Sequence, residues 1–155
     1  MTRVCEKIPQ LTFTNAGHSG QTMKSALGYS EIVSGYDIYT IMFGTNDFSR
    51  FPVGTYDDYI NRTVDTIYGN FAKLMDKVTG VANGAPILVM TTTHWGCPIN
   101  VSNPTGIIGQ SSDVQVNQFG NKLDDLQNAV LDACQKNNIP YVDLFHESHI
   151  TPKNA

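Results

Sequence analysis

Two nearly unbroken apolar runs constrain this chain most: "YDIYTIMFG" (residues 36–44) and "APILVMTTT" (residues 85–93). A strand with one face in water alternates apolar and polar residues. These two do not, and continuous apolarity is the pattern of strands covered on both faces in a parallel sheet. Two further β-branched or aromatic stretches, "LTFTN" (residues 11–15) and "IPYVDLF" (residues 139–145), read as strands too, bounded by Gly, Pro or Asn.

Helical spacing fills the intervals. Tyr59, Ile60, Val64, Ile67, Tyr68, Phe71, Leu74, Met75 and Val78 recur at i, i+3, i+4 and predict a helix over about residues 56–79. Thr55 supplies its cap, and Asp57 and Asp58 its first-turn charge. Leu123, Leu126, Val130, Leu131 and Cys134 predict another over about residues 114–136, stopped by Asn137-Asn138 and Pro140. A weaker helix falls between residues 21 and 34. The order β-α-β-α-β-loop-α-β predicts an α/β sandwich with a mostly parallel sheet, in one domain over residues 1–155. Residues 94–113 have no regular period, and a loop of that length is read as functional or mobile.

Composition excludes several partners. Ten basic against fourteen acidic residues give a net charge of −4, with no basic cluster. Nucleic-acid binding needs concentrated Lys and Arg, so it is not expected. No apolar run approaches the length of a membrane span. The first ten residues hold no apolar stretch of signal-peptide length, and the compartment stays open. Cys5, Cys97 and Cys134 make neither a disulfide framework nor a metal spacing, and read as buried or free thiols. No cofactor is expected: a phosphate loop would want a basic residue and more Gly, Ser or Thr at its first turn.

Ligands of an open parallel sheet collect beyond the carboxyl ends of its strands. Here those ends carry "NAGHSG", "FGTND" and "TTTHWG". Ser19, with His18 beside it, invites a nucleophile reading. A nucleophile elbow needs G-x-S-x-G, however, and Gln21 stands where the second Gly belongs. A bland alternative is that Ser19 caps the next helix. A third reading fits better: Gly20 lets its backbone N–H approach a ligand and stabilise an oxyanion. Asn46, just past the buried strand, offers a neutral amide for the same task. Asp47 reads as a cap for the turn or the next helix rather than a base.

"NAGHSG" followed by "YDIYTIMFGTND" resembles the second and third sequence blocks of the SGNH (GDSL-type) hydrolases, in spacing and in context. "ILVMTTTH" and "IPYVDLF" resemble that family's fourth and fifth strands, so the resemblance covers nearly the whole chain. It implies a flavodoxin-like three-layer sandwich and hydrolysis of an acyl group. It also implies that Gly20 and Asn46 occupy the family's oxyanion-hole positions. His18, Asp47, His94 and Trp95 are then expected around the substrate pocket.

Other family parts have no counterpart in this sequence. The nucleophile's G-D-S motif belongs upstream, where this chain has only "MTRVCEKIPQ". The family's D-x-x-H motif follows the fifth strand. Here the bare string is met by Asp143-Leu-Phe-His146, but the strand prediction places Asp143 inside that strand, so His146 is a secondary candidate for the base. His146 and His149 lack a third ligand for a metal site. The first strand of the family's 2-1-3-4-5 sheet is also missing, which leaves "LTFTN" without its neighbour or paired directly with "YDIYTIMFG". The chain therefore reads as the central part of an SGNH-type esterase, inactive by itself, from a partial reading frame. A small acyl ester, carried on carbohydrate, is the expected substrate, given the polar Thr, Asn and Ser surface. The alternative is a non-catalytic binding module on the same scaffold, recognising glycans through Trp95 and the long loop.

Overall fold

A computed structural model describes residue 8, residues 10–95 and residues 112–150. Three parallel strands form its sheet: β1 (Tyr39–Met42), β2 (Ile87–Met90) and β3 (Tyr141–Val142), in the order β1-β2-β3. Ile41 lies opposite Val89 in the register, and Val89 opposite Tyr141. Six helices accompany them among the described residues: α1 (Met23–Ala26), α2 (Thr45–Phe48), α3 (Tyr56–Asn61), α4 (Ile67–Ala82), α5 (Leu123–Lys136) and α6 (Leu144–Glu147). This is a flavodoxin-like α/β arrangement. None of the helices is long and apolar enough to cross a membrane.

The core lies where α4 and α5 cover the sheet. Parallel strands are joined by right-handed crossovers, so two successive steps in one direction put both crossover helices on the same face. The helices accordingly pack on each other. Ile67, Phe71, Leu74 and Val78 of α4 and Leu123, Leu126, Val130 and Cys134 of α5 share one buried cluster with Ile41 and Val89. Cys134 is a free, buried thiol whose pKa burial pushes up to about 12, so it packs as a small hydrophobe. Cys5 and Cys97 lie outside the described residues, as does most of the loop at residues 94–113.

Five expectations need correction. "LTFTN" is not a strand: residues 11–18 are irregular, with Leu11 42% and Phe13 46% exposed. It does not pair with β1, and a stretch without a ladder leaves its backbone groups to water. Among the described residues β1 pairs on one side only, and its second face is open, with Met42 54% exposed. The apolar run therefore did not guarantee cover on both faces here.

The predicted helix over residues 56–79 is two helices. Arg62 turns left-handed (φ 57) to end α3, and Thr66 caps α4 by accepting the Gly69 N–H at 3.1 Å. Gly69 makes the break possible: a Cβ there would sit 1.5 Å from the Thr63 carbonyl oxygen. Periodicity carries across this turn, so it did not betray the interruption.

α5 begins at Leu123, later than expected. Asn117 Oδ1 accepts the N–H groups of Phe119 and Asn121, each at 2.9 Å, folding residues 117–121 into a side-chain-bonded turn. The weak helix after Gln21 shrinks to the single turn of α1. Lys77 Nζ on α4 draws off the carbonyls of Ala26, Leu27 and Tyr29, at 3.1, 2.9 and 2.6 Å, and a cation at a helix C-terminus is favourable.

Candidate functional site

The turn after β1 is built around Gly44. Its φ of +140° suits glycine alone, and a Cβ would stand 2.9 Å from Leu126 Cδ2 and 3.2 Å from Gln127 Nε2. The backbone can therefore close onto α5 and turn at once into α2, which carries Asn46 and Asp47. Gln127 sits on the buried face of α5 and holds the end of β2. Its Oε1 accepts the Thr92 N–H at 3.1 Å, and its Nε2 donates to the Thr92 hydroxyl at 2.9 Å.

Two donors tie the residues just after "NAGHSG" to α2. Asn46 Nδ2 donates to the Gln21 carbonyl at 3.1 Å. The Met23 N–H donates to both Asp47 oxygens, at 3.0 and 3.2 Å. Thr22, not Ser19, caps α1 by accepting the Ser25 N–H at 3.1 Å. Gly20, exposed and left-handed (φ +76), thus lies one residue before the carbonyl that Asn46 grips. Its N–H has no acceptor among the described residues, and Arg50 Nη2 reaches its carbonyl at 3.5 Å. One amide N–H of Asn46 is committed to Gln21, and the other has no acceptor among the described residues.

Asp47, expected in the pocket lining, is instead fully buried beneath this turn. Burial drives its pKa up to about 7, against the downward pull of the Met23 N–H, its own backbone N–H and the Arg50 charge. Ser19 is exposed and bonds to no histidine among the described residues. His18 packs against Tyr29, with ring centroids 4.5 Å apart, and its Nε2 stands 3.6 Å from Glu31.

The ends of β2 and β3 form the other part of the rim. His94 stacks on Phe145, with centroids 3.9 Å apart, and its Nε2 meets the Phe145 carbonyl at 2.9 Å. Its Nδ1 faces Asp113 at 2.5 Å and the Ser112 hydroxyl at 3.3 Å. In a Ser-His-Asp relay the serine and the acid sit on opposite ring nitrogens. Here both crowd one nitrogen, so this trio is no relay. Trp95 packs edge-on against Phe48, with centroids 6.0 Å apart, rather than on His94.

Asp143 lies just past β3, not inside it, and caps α6 by accepting the His146 N–H at 3.1 Å. The Asp143 and His146 side chains do meet, Nδ1 to Oδ2 at 2.6 Å. The other ring nitrogen faces Asp124 Oδ1 at 2.8 Å. Burial pulls the His146 pKa down, but the bonds to Asp124 and Asp143 outweigh it and leave it above the ordinary imidazole value. A ring held by carboxylates at both nitrogens ties α5 to α6, and neither nitrogen is free to take a proton from a serine in this arrangement. Thr91 completes the network, donating to Asp143 at 3.1 Å and accepting the Phe145 N–H at 2.9 Å.

Sequence reasoning missed Asp113, Asp124, Gln127 and Thr91. Only Gln127 carried a signal, a polar residue on the apolar face of a helix between Leu123 and Val130. The described residues hold no group of three His, Cys, Asp or Glu that could bind a metal. A cavity of about 750 Å³ opens between residues 52–55 and α5, and none of the expected site residues lines it.

The sequence matches the family model described as the GDSL-like Lipase/Acylhydrolase family over residues 1–155. Among solved structures, it is similar to a possible lipase from Chitinophaga pinensis DSM 2588, at 30% identity and a TM-score of 0.81. That match covers 97% of this chain and 59% of the lipase, so this chain spans little more than half of that protein's length. A protein from Lactobacillus plantarum shares the fold at 21% identity and a TM-score of 0.67, with 89% of this chain and 64% of that one covered. No curated protein matches the sequence.

Proposed function

The chain belongs to the GDSL-like lipase/acylhydrolase family, and we propose that it supplies the oxyanion-binding side of an acyl-ester hydrolase site. Gly20 donates its backbone N–H and Asn46 its remaining side-chain N–H to the oxygen that becomes negative as the carbonyl turns tetrahedral. The observation that carries this reading is the Asn46-to-Gln21 bond, which holds the amide beside the left-handed turn at Gly20. Donors fixed before the reaction cost no reorganisation when charge develops, and one such donor is worth roughly 10²–10³ in rate. The attacking serine and its histidine belong to the complete site, with His as general base. A small O-acyl ester on carbohydrate is the proposed substrate, supported by the polar, weakly charged surface. A binding module on the same scaffold is the second reading, favoured by the two carboxylates that hold His146.

Methanesulfonate, tetrahedral and singly charged, tests the donors directly. Titrated against the labelled chain, it is expected to shift the Gly20 backbone and Asn46 side-chain amide resonances together, and Asn46→Ala to abolish most of the Gly20 response. No shift at either group would sink the assignment. p-Nitrophenyl acetate hydrolysis adds the converse test: turnover lost in both Asn46→Ala and Ser19→Ala would make Ser19 a nucleophile.

A further inference from the structure

Asn46 and Gly20 lie on separate segments, and an oxyanion site needs both at one point to within about half an ångström. The bond from Asn46 Nδ2 to the Gln21 carbonyl cannot set that distance alone, because the amide must also serve the ligand. The stronger tie runs underneath. Met23 begins α1, directly after the Gly20–Thr22 turn, and its N–H is an orphan donor of that helix start. Asp47 takes it with both carboxylate oxygens, across 24 residues of sequence and with no solvent exposure.

Nothing else in the site requires a carboxyl there. Asp47 makes no ion pair among the described residues, and the charged group whose field reaches it is Arg50, from the residues just past α2. An unpaired carboxyl is costly to bury, so its retention beside the donor residue calls for a task. Resting on the oxyanion reading above, we infer that Asp47 is a positioning residue: it clamps the start of α1 to α2 and thereby sets the Gly20 N–H against the Asn46 amide. It touches no substrate itself. Arg50 braces the same turn from outside through the Gly20 carbonyl.

The test separates position from stability. Amide exchange at Met23 and the methanesulfonate shifts at Gly20 and Asn46 are measured in the wild-type chain, Asp47→Ala, Asp47→Asn and Val78→Ala. Val78 is buried in the core on α4, so its truncation destabilises the fold without touching the clamp. Asp47→Ala is expected to speed Met23 exchange at least tenfold and to lose the paired shifts. Asp47→Asn, whose Oδ1 still accepts the Met23 N–H, is expected to restore most of both, and Val78→Ala to keep the shifts. Asp47→Ala with unchanged Met23 exchange would overturn the clamp, as would Val78→Ala losing the shifts to the same degree. Should Asp47→Ala fail to fold, Asp47→Glu replaces it: a side chain one methylene longer displaces the turn, and retained shifts would count against the inference. If methanesulfonate moves neither donor in the wild-type chain, the oxyanion reading fails, while Met23 exchange still reports on the clamp.

Discussion

The two parts of the rim solve the same problem with opposite chemistry. At the end of β1, an amide-to-carbonyl hydrogen bond and one buried carboxyl without an ion-pair partner among the described residues tie α2 to the turn at residues 20–23. At the ends of β2 and β3, two histidines are engaged from both sides, His94 by Asp113 and a carbonyl, His146 by Asp143 and Asp124. The first part leaves N–H groups to spare. The second spends its ring nitrogens on holding elements together. A histidine near a candidate site is therefore no evidence of a base until both its nitrogens are accounted for.

Opposite pH responses offer the widest test of the contrast. Asp47 has a folded pKa raised to about 7 by burial, whereas an unfolded aspartate titrates at about 3.9. Between these values the native state binds more protons than the unfolded one, so stability falls as pH rises. The span corresponds to something on the order of 4 kcal/mol before the fold relaxes. Asp47→Asn is expected to flatten this slope in urea titrations between pH 4 and 8. An unchanged slope would show that the carboxyl is hydrated.

Gly44→Ala should come next in size, because Gly44 joins both parts of the rim through Leu126, Gln127 and Thr92. A strained φ and the clash with Leu126 together cost roughly 3 kcal/mol, read as a lower urea midpoint at constant slope. A cost below about 1 kcal/mol would mean that the turn repacks freely.

The His146 tie should have the smallest effect, since half of Asp124 and over a third of the histidine face water. Its pKa is raised, so its contribution is present below about 6.5 and lost as pH climbs through the folded value. Asp143 is held below the usual carboxylate range. Burial opposes this, but the His146 bonds and the Thr91 hydroxyl win. Its share is therefore lost as pH falls through that lowered value. His146→Gln is expected to remove a bell-shaped component of stability worth at most about 1 kcal/mol. A monotonic difference between the two proteins would mean that charge pairing at His146 contributes nothing to stability.

What could be read in the sequence follows the same division. Apolar spacing located α4, α5, β1 and β2, because burial is repeated residue by residue along an element. The gap between α3 and α4 escaped it, since Ile60, Val64 and Ile67 keep helical spacing across a turn that depends on Gly69. "LTFTN" has strand composition but no partner, and pairing is a property of two segments. Gly20 and Asn46 could be nominated from sequence because backbone freedom and a neutral amide are local traits. The clamp on Asp47 and the Asp124 grip on His146 could not, because their partners lie 24 and 22 positions away.

β1 offers ladder groups along one side that no described strand takes up, flanked by Ile38 and Met42, each 54% exposed. Backbone donors and acceptors in a row, bordered by apolar side chains, are a template for another extended segment. The chain's behaviour in solution should then depend on how concentrated it is. Self-association would begin at this edge, which no described strand covers, and Met42→Lys is the substitution that would blunt it.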